Sequence, residues 1–447
     1  MNISQALKQL NLILGEPLYI VGGFVRNFIA GFGQTDIDLA SSLTPSEIIH
    51  RLKSTKFKIR PINPRIGTLK IYTDDECFEY TTFRIDNYPN TGEHEPTSVK
   101  FTTSLDEDAQ RRDFTLNAIY YDIKNDKIID PVSGIQDINN RIIRTVREPQ
   151  VTFEEDALRL LRLVRIAAQT GYDIDSTTLI GAKDKVALIE SITKERIRCE
   201  LESMLVADTK YGIDKAHYRA LLLADQVGLL DYIIPDLVLA KGLPQPREYH
   251  EYDVFNHILH TVEFATPKVR LAALLHDIGK PSRYLNTGKY SKHDVEGAQI
   301  ARRILNELKY PQETINRVSN LVSVHMFDSR ETASVTELRL FVSKHANIID
   351  DLIELEKADA LGSGNKRNFD RRIQRLSTIR DEMIKNGSPF KISDLLVSGR
   401  ELIELNIPEK FRGTILKETL KECIEKQIVE RDAQIEVVKS KIALLDA

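Results

Sequence analysis

A chain of 447 residues, 42% hydrophobic and 29% charged with 21 Gly and 16 Pro, is too apolar for disorder and long enough for about three domains. Its cysteines, Cys77, Cys199 and Cys423, are too scattered for a disulfide scaffold, and no apolar run reaches the ~20 residues of a membrane span, so a cytoplasmic protein is expected. The formal net charge of −4 argues only weakly against a nucleic-acid partner, because binding depends on where charges cluster.

The first residues, MNISQALKQLNLILGE, lack the pattern of a secretion signal. Residues 1–135 mix β-branched runs with turns. Positions 18–21, 37–39, 68–72, 78–83 and 119–123 read as strands with amphipathic helices between them, an α/β or α+β head. From about 150 the period is 3.6 and stays helical. The stretches 242–252 and 385–394 read as breaks. In the tail helix, Leu416, Leu420, Cys423, Ile424 and Ile428 form the expected buried stripe.

LYIVGGFVRN (18–27) reads as a strand running into Gly22-Gly23 and then a helix. Glycine lets backbone N–H groups approach phosphate oxygens, and a helix N-terminus adds positive potential. Arg26 supplies a charge-assisted donor. Such a pair alone is most often a tight turn. In TDIDLAS (35–41), strand periodicity projects Asp36 and Asp38 together while Ile37 and Leu39 face the core. Adjacent carboxylates repel unless a cation lies between them, and hard oxygen ligands suit Mg²⁺, which serves phosphoryl transfer. A bare DxD is most often a solvated strand edge, but the preceding glycines reverse those odds. Glu79, on the strand at 78–83, offers a third carboxylate to the same cage.

GGFVRN followed by DIDLAS resembles the head of class II tRNA nucleotidyltransferases, the CCA-adding enzymes, and of their bacterial poly(A) polymerase relatives. The resemblance continues through RRDFTLNA (111–118), EEDALRLLRLVR (154–165) and KERIRCEL (194–201), roughly the first half of the chain. It implies an α+β protein with a polymerase-beta-like mixed-sheet nucleotidyltransferase head at 1–140 and an all-helical neck and body at 141–241. It also implies that Asp36 and Asp38 hold catalytic Mg²⁺, that Gly22, Gly23, Arg26 and Arg112 contact the nucleotide, and that Asp113 and Asn117 serve ribose recognition. The family usually has Asp where this chain has Asn27, which keeps an acceptor and loses the charge. Reduced or rebalanced activity at most is expected, since both metal carboxylates are present.

In EEDALRLLRLVR, read as one helix, Ala157, Leu160, Leu161, Val164 and Ala168 form an apolar stripe. Glu155, Arg159 and Arg162 line another face, with Asp156 one turn from Arg159. Charge runs like this are most often exposed ladders worth ~0.3–0.5 kcal/mol per pair. The chemistry suggests more. Cytosine and adenine each present an amino donor beside a ring-nitrogen acceptor, which a carboxylate and a guanidinium match. Guanine and uracil present a carbonyl and a ring N–H, leaving both protein groups mismatched. The resemblance implies that Asp156 and Arg159 select CTP and ATP, with Arg162 and Arg165 as further contacts. The tract 88–110 sits where the family has a flexible loop aiding the switch from C to A; a solvated connector is the plain alternative.

Histidine is uneven: seven of ten lie between positions 250 and 345. Adjacent His276-Asp277 follows an apolar run, with His257 upstream and Asp359 downstream. Imidazole plus carboxylate suits a divalent transition metal with positions left for water. This spacing resembles HD phosphohydrolase domains, placing one at 250–370. It implies His257, His276, Asp277 and Asp359 as ligands, with His293 and His325 assisting phosphate or a second metal. Lys280 reads equally as a phosphate contact or a C-terminal helix charge. In the helical tail, 388–447, the segment VSGRELIEL (397–405) either contacts the tRNA elbow or packs through Leu402 and Leu405.

The two motif sets together favour addition of C, C and A to tRNA 3′ ends from CTP and ATP without a template. Arg141, Arg144, Arg147, Arg159, Arg162 and Arg165 would give the neck its positive density for tRNA. The rivals are CC-adding, A-adding or poly(A) activity alone, an HD phosphohydrolase with a relict head, and a non-catalytic RNA scaffold.

Overall fold

The computed structural model describes all residues except 2, 34, 90, 249, 365–368 and 444–447. Position 90 of the 88–110 tract, position 249 of the 242–252 break and the end of the tail segment therefore lie outside the described residues. The chain forms two compact units, Met1–Pro235 and Asp236–Ala447. The segment expected at 141–241 crosses that division.

The first unit is built on a mixed seven-stranded sheet. Its strands are β1 (Tyr19–Val21), β2 (Asp38–Ser41), β3 (Lys58–Asn63), β4 (Thr68–Tyr72), β5 (Cys77–Thr82), and, beyond the hairpin of β6 (Arg84–Asn87) and β7 (Ser98–Phe101), β8 (Tyr120–Asp122) and β9 (Lys127–Ile129). Their spatial order is β3-β4-β5-β2-β1-β8-β9. Only β2 and β5 run parallel; the other neighbours are antiparallel. Alternation explains why the sheet packs: Val21, Ala40 and Tyr120 join Phe83, Ala109 and Ala118 in one buried cluster. The weakly patterned β3, β7 and β9 escape the sequence reading because their residues are exposed or half-buried, and β6 because its buried positions, Arg84 and Asp86, are charged. The 88–110 tract is no continuous loop, since it contains β7 and the helix Leu105–Gln110. Its connector is pinned: Gly92 exchanges backbone hydrogen bonds with Glu154 and Ala157 at 2.7 and 2.9 Å.

Five helices of this unit position the site: α1 (Gly23–Ala30), α2 (Pro149–Glu155), α3 (Leu158–Thr170), α4 (Lys194–Leu205) and α5 (Ala207–Tyr211). The stretch expected as one helix is broken, because Asp156 adopts an extended conformation between α2 and α3. Its carboxylate accepts from the Leu158 N–H at 3.0 Å, so the side chain competes with the helix it was expected to continue. The apolar stripe survives the break; Ala157, Leu160, Leu161, Val164 and Ala168 are all buried.

The second unit is helical. α6 (Val254–Phe264) packs on α11 (Ile349–Gly362), and α9 (His293–Glu307) on α10 (Gln312–Val324), with α7 (Arg270–Leu275) and α8 (Lys280–Thr287) flanking the His276-Asp277 turn. In the tail helix Glu409–Lys426 the buried positions are Ile415, Thr419, Cys423 and Ile424. Leu416 and Leu420 are only half-buried, and Ile428 lies past the helix end, so the expected stripe is rotated by one position. Leu402 is fully buried in the tail's own core with Leu405 against it, which favours packing for that segment.

Gly279 allows α8 and α9 to approach. A Cβ there would stand 2.2 Å from the His293 carbonyl oxygen and 2.6 Å from the Gly297 nitrogen, both unyielding backbone atoms. Gly279→Ala is therefore expected to destabilise this unit by at least about 1–3 kcal/mol, measured as a fall in the thermal or urea midpoint. An unchanged midpoint would contradict the close approach.

Candidate functional site

The head's chemistry begins with a register. Parallel pairing of β2 with β5 sets Asp38 opposite Glu79, so both side chains leave the same face of the sheet. Asp36 lies just before β2 rather than within it, on chain already bonded to β5 through the Ile37 carbonyl and Glu79 N–H at 3.3 Å. Ile37 is half-buried, not a core residue. Surrounding atoms strip water from the Asp38 carboxyl, and Glu79 and then Asp36 add like charge; together they push its pKa up to about 6, against the opposing pull of Arg112. Hard carboxylate oxygens crowded enough to hold a proton are a donor set suited to Mg²⁺.

Gly22 caps α1 with φ of 82°, in the left-handed region, and a Cβ there would stand 3.2 Å from Asp38 Oδ2. Only glycine lets the strand turn into the helix beside that carboxylate. No side chain caps α1, so the N–H groups of its first turn keep no side-chain acceptor.

The predicted nucleotide contacts gather in one cleft. One end is lined by Gly22, Gly23, Arg26, Asp36, Asp38 and Asn117, and the other, about 890 Å³, by Glu79, Asp156 and Arg159; Arg112, Asp113 and Arg162 line both. Arg165 lines the first end only.

A partner orients each cation. Arg26 donates to Asn27 Oδ1, to Asn117 Oδ1 at 2.8 Å and to the Tyr211 hydroxyl at 2.7 Å. Arg112 donates to Asp108 Oδ2 and the Tyr120 hydroxyl, both at 2.9 Å. Arg162 donates twice to Asp113 Oδ2, at 2.9 and 2.6 Å, and Arg165 to Glu200 at 2.6 Å. Burial alone would raise the Asp113 pKa, but Arg162 and the Asn117 amide hold it well below the usual carboxylate range. Arg144 and Arg147 likewise pair with carboxylates of their own unit. The neck's expected positive density is thus largely neutralised in place, because most of its arginines are structural partners of acids.

Asp156 and Arg159 are both buried, at 6% and 5% exposure, which rules out a solvated ladder. They come near each other without bonding: Arg159 Nε stands 4.0 Å from Asp156 Oδ2. The Arg159 guanidinium donates to the Thr152 carbonyl, Glu155 and the Arg111 carbonyl at 3.2, 3.3 and 2.7 Å. Asp156 Oδ2 bonds His94 Nδ1 at 2.9 Å, so an imidazole already occupies one of its acceptor positions. His94, Asp108 and Tyr211 are site residues the sequence reading missed. His94 and Asp108 lie in the tract read as a loop, and Tyr211 carries no motif.

In the second unit six side chains converge. His257, His276 and Asp359 form one group and Asp277, His293 and His325 another. Asp277 joins them: its Oδ2 lies 3.2 Å from both His257 and His276 Nε2, and its Oδ1 3.0 Å from His293 Nε2. The four-ligand set read from sequence is therefore redistributed around a shared carboxylate. The Nδ1 atoms of His276, His293 and His325 face the carbonyls of Ala273, Tyr290 and Val322 at 2.8, 2.9 and 2.7 Å. A carbonyl only accepts, so each ring donates from Nδ1 and turns Nε2 toward the cluster, the orientation a metal-ligating imidazole takes. Nitrogen lone pairs and carboxylates buried together fit divalent cations. Lys280 opens α8 rather than closing a helix, and its Nζ lies 2.5 Å from Asp277 Oδ2 and donates to Gln245 at 2.7 Å.

Residues 18–144 match the Poly A polymerase head domain and residues 253–363 the HD domain. The CCA-adding enzyme of Staphylococcus aureus (strain MRSA252) is 40% identical over 191 residues, 43% of this chain and 46% of that protein. The chain thus spans about half the length of the curated relatives it matches. The crystal structure of the Bacillus stearothermophilus CCA-adding enzyme in complex with CTP aligns over 99% of this chain and 97% of its own, with a TM-score of 0.69 and 22% identity. The Thermotoga maritima CCA-adding enzyme complexed with tRNA aligns over 99% and 96%, with a TM-score of 0.59 and 18% identity. The chain carries a head and an HD domain of these kinds, and shares its fold with those structures.

Two outcomes follow from the donor sets. A proton competes with a cation for Asp38 below about pH 6. Mg²⁺ affinity, read by titration calorimetry, should therefore hold above pH 7 and weaken about tenfold per unit below the pKa; a flat profile would contradict this. In the HD cluster, Asp277→Asn should remove both metal equivalents and His325→Ala only one, counted by atomic emission. Equal loss in the two variants would count against a shared carboxylate.

Proposed function

We propose that this chain is a template-independent nucleotidyltransferase that adds C, C and A to tRNA 3′ ends, using CTP and ATP. The observation that carries the reading is a run of neighbouring cavities with shared walls: Asp36 and Asp38 line one, Asp38 and Glu79 the next, and Glu79, Asp156 and Arg159 a third, with Arg112 lining all three. A site that selects bases with fixed protein groups beside a transfer centre needs no template.

In the reaction the tRNA 3′-oxygen bonds to the α-phosphorus, the bond from that phosphorus to the bridging oxygen breaks, and pyrophosphate leaves. Asp36 and Asp38, with Glu79, would hold Mg²⁺, which when bound lowers the charge barrier between hydroxyl and phosphate. Arg26, Arg112 and Arg162, fixed by Asn117, Asp108 and Asp113, orient the triphosphate without having to search for a conformation. Asn117 and Asp113 bond each other at 3.0 Å and form the ribose end of this lattice.

Asp156 can only accept and Arg159 only donate. Three of the five Arg159 N–H groups are taken by protein acceptors, which leaves the Nε–H and one Nη2–H for a ring nitrogen. Binding would exchange the His94 contact for the amino group of cytosine or adenine. The HD cluster supports an additional metal-dependent phosphohydrolase activity, its imidazoles and Asp277 holding transition metals with room for water. Exposed and buried free cysteines fit a cytoplasmic setting. No described helix is long and apolar enough to cross a membrane.

The test is incubation with tRNA lacking its CCA end and each labelled nucleotide, followed by product sequencing. Ordered C, C, A addition is expected; C or A alone, or an A tract, would replace the reading by its narrower rivals. Arg159→Ala should reduce the preference for CTP and ATP over GTP and UTP by about ten- to a hundredfold, the cost of mismatching one buried charged donor. Unchanged incorporation ratios would count against the assigned role.

A further inference from the structure

Asn27, where the resembled family has Asp, is 1% exposed and sits inside α1. Its Oδ1 accepts from Arg26 Nε and Nη2 at 3.1 and 2.9 Å. A guanidinium has no acceptor, so the amide can face it only with oxygen, and the orientation of Asn27 is unambiguous. Nδ2 must then donate on the other side. It does so to the Gly33 carbonyl at 3.1 Å and to the Tyr211 hydroxyl at 3.0 Å. Arg26 Nη2 donates to the same hydroxyl at 2.7 Å.

Two N–H groups therefore fill both acceptor positions of the Tyr211 oxygen. Its own hydrogen has to point elsewhere, and among the described residues nothing accepts it. The ring is held by stacking on Phe32, with centroids 4.7 Å apart and planes 16° from parallel. Tyr211 ends α5 and lines the cleft beside Gly22, Gly23, Asp36, Asp38 and Arg165. Thr35 lines the same end, and its hydroxyl oxygen is buried without a partner among the described residues. Two hydroxyls without a protein acceptor thus border the space between the carboxylates and the arginines.

We propose that Tyr211 is a ligand-binding residue whose O–H donates to a phosphate oxygen of the bound nucleoside triphosphate, and that Asn27 aims it there. A hydroxyl donating to an anionic oxygen makes one of the stronger hydrogen bonds. The identity of residue 27 decides the direction. A carboxylate would accept the Tyr211 hydrogen and turn it out of the cleft, and would set an oxygen against the Gly33 carbonyl. The amide does the reverse, so Asn27 gives up the charge an Asp would set beside Arg26 and leaves the Tyr211 hydrogen free to meet the ligand. The proposal rests on the reading of the cleft as a nucleotide site.

The experiment is a double-mutant cycle on the full chain, reading the equilibrium Kd of CTP with Mg²⁺ and without RNA, so that no turnover is needed. Tyr211→Phe should weaken CTP about tenfold, the scale of one hydrogen bond to a charged acceptor. Asn27→Asp should weaken it comparably when Tyr211 is present, and by less than about twofold in the Tyr211→Phe background. Effects that multiply would overturn the proposal, because the two residues would then act independently. So would an unchanged Kd in Tyr211→Phe, or a loss that appears in the KM for RNA instead. Asn27→Asp keeps the phenol, so the test survives if Tyr211→Phe folds poorly. If the wild type binds no CTP, the nucleotide-site reading fails along with the proposal; if it binds and Tyr211→Phe equals it, only the proposal fails.

Discussion

The parallel pairing of β2 with β5 sets the terms for the whole first unit. Residues opposite each other in register share a face, so this one pairing brings Asp38 and Glu79 side by side with Asp36 close behind. Carboxylates held so close repel, and loss of hydration together with the like charge of Glu79 raises the Asp38 pKa to about 6. A sheet that imposes such repulsion has to be stabilised elsewhere, and the buried cluster around Val21, Ala40 and Tyr120 supplies apolar contact directly behind the site. A cation held between these carboxylates would offset that repulsion.

Around that centre the head and neck arrange positive charge by pairing it. Asp108 is fully buried and holds both Arg111 and Arg112; Asp113 holds Arg162. A buried carboxylate without such partners would lose its charge, and an arginine without an acid would lose its direction. Each pair keeps both. The result is a cleft whose cations are pre-oriented, with the entropic cost of their ordering met on folding rather than on binding.

The second unit solves a related problem with softer ligands. Its four histidines come from α6, α9, the turn after α7 and the end of α10, and backbone carbonyls accept from the Nδ1–H of three of them. Asp277 presents one oxygen to each histidine group, so a single residue in the turn after α7 ties both together. Lys280 against Asp277 shows how strongly the cluster demands positive charge.

Chemistry-bearing residues were legible in the sequence wherever their spacing is local. Gly22-Gly23, the Asp36 and Asp38 pair, His276-Asp277 and the strands at 68–72 and 78–83 follow from short periodicities; the two strands form within one residue of that reading, while Asp36 falls just before β2 rather than within it. The helix break at Asp156, the strand hidden in 88–110 and the rotated tail stripe did not: the first turns on one side-chain hydrogen bond to the Leu158 N–H that competes with the helix, and the others on which strand or core a weakly patterned segment meets. The sequence by itself determined which residues carry charge, metal affinity and hydrogen-bonding capacity, since those properties belong to the side chains. Only the tertiary structure decided the pairings: Glu79 beside Asp38, Arg162 on Asp113, His94 on Asp156, and Asn27 between Arg26 and Tyr211. Directional bonds and Coulomb forces act over a few ångströms, and such distances between remote residues exist only once the chain has folded.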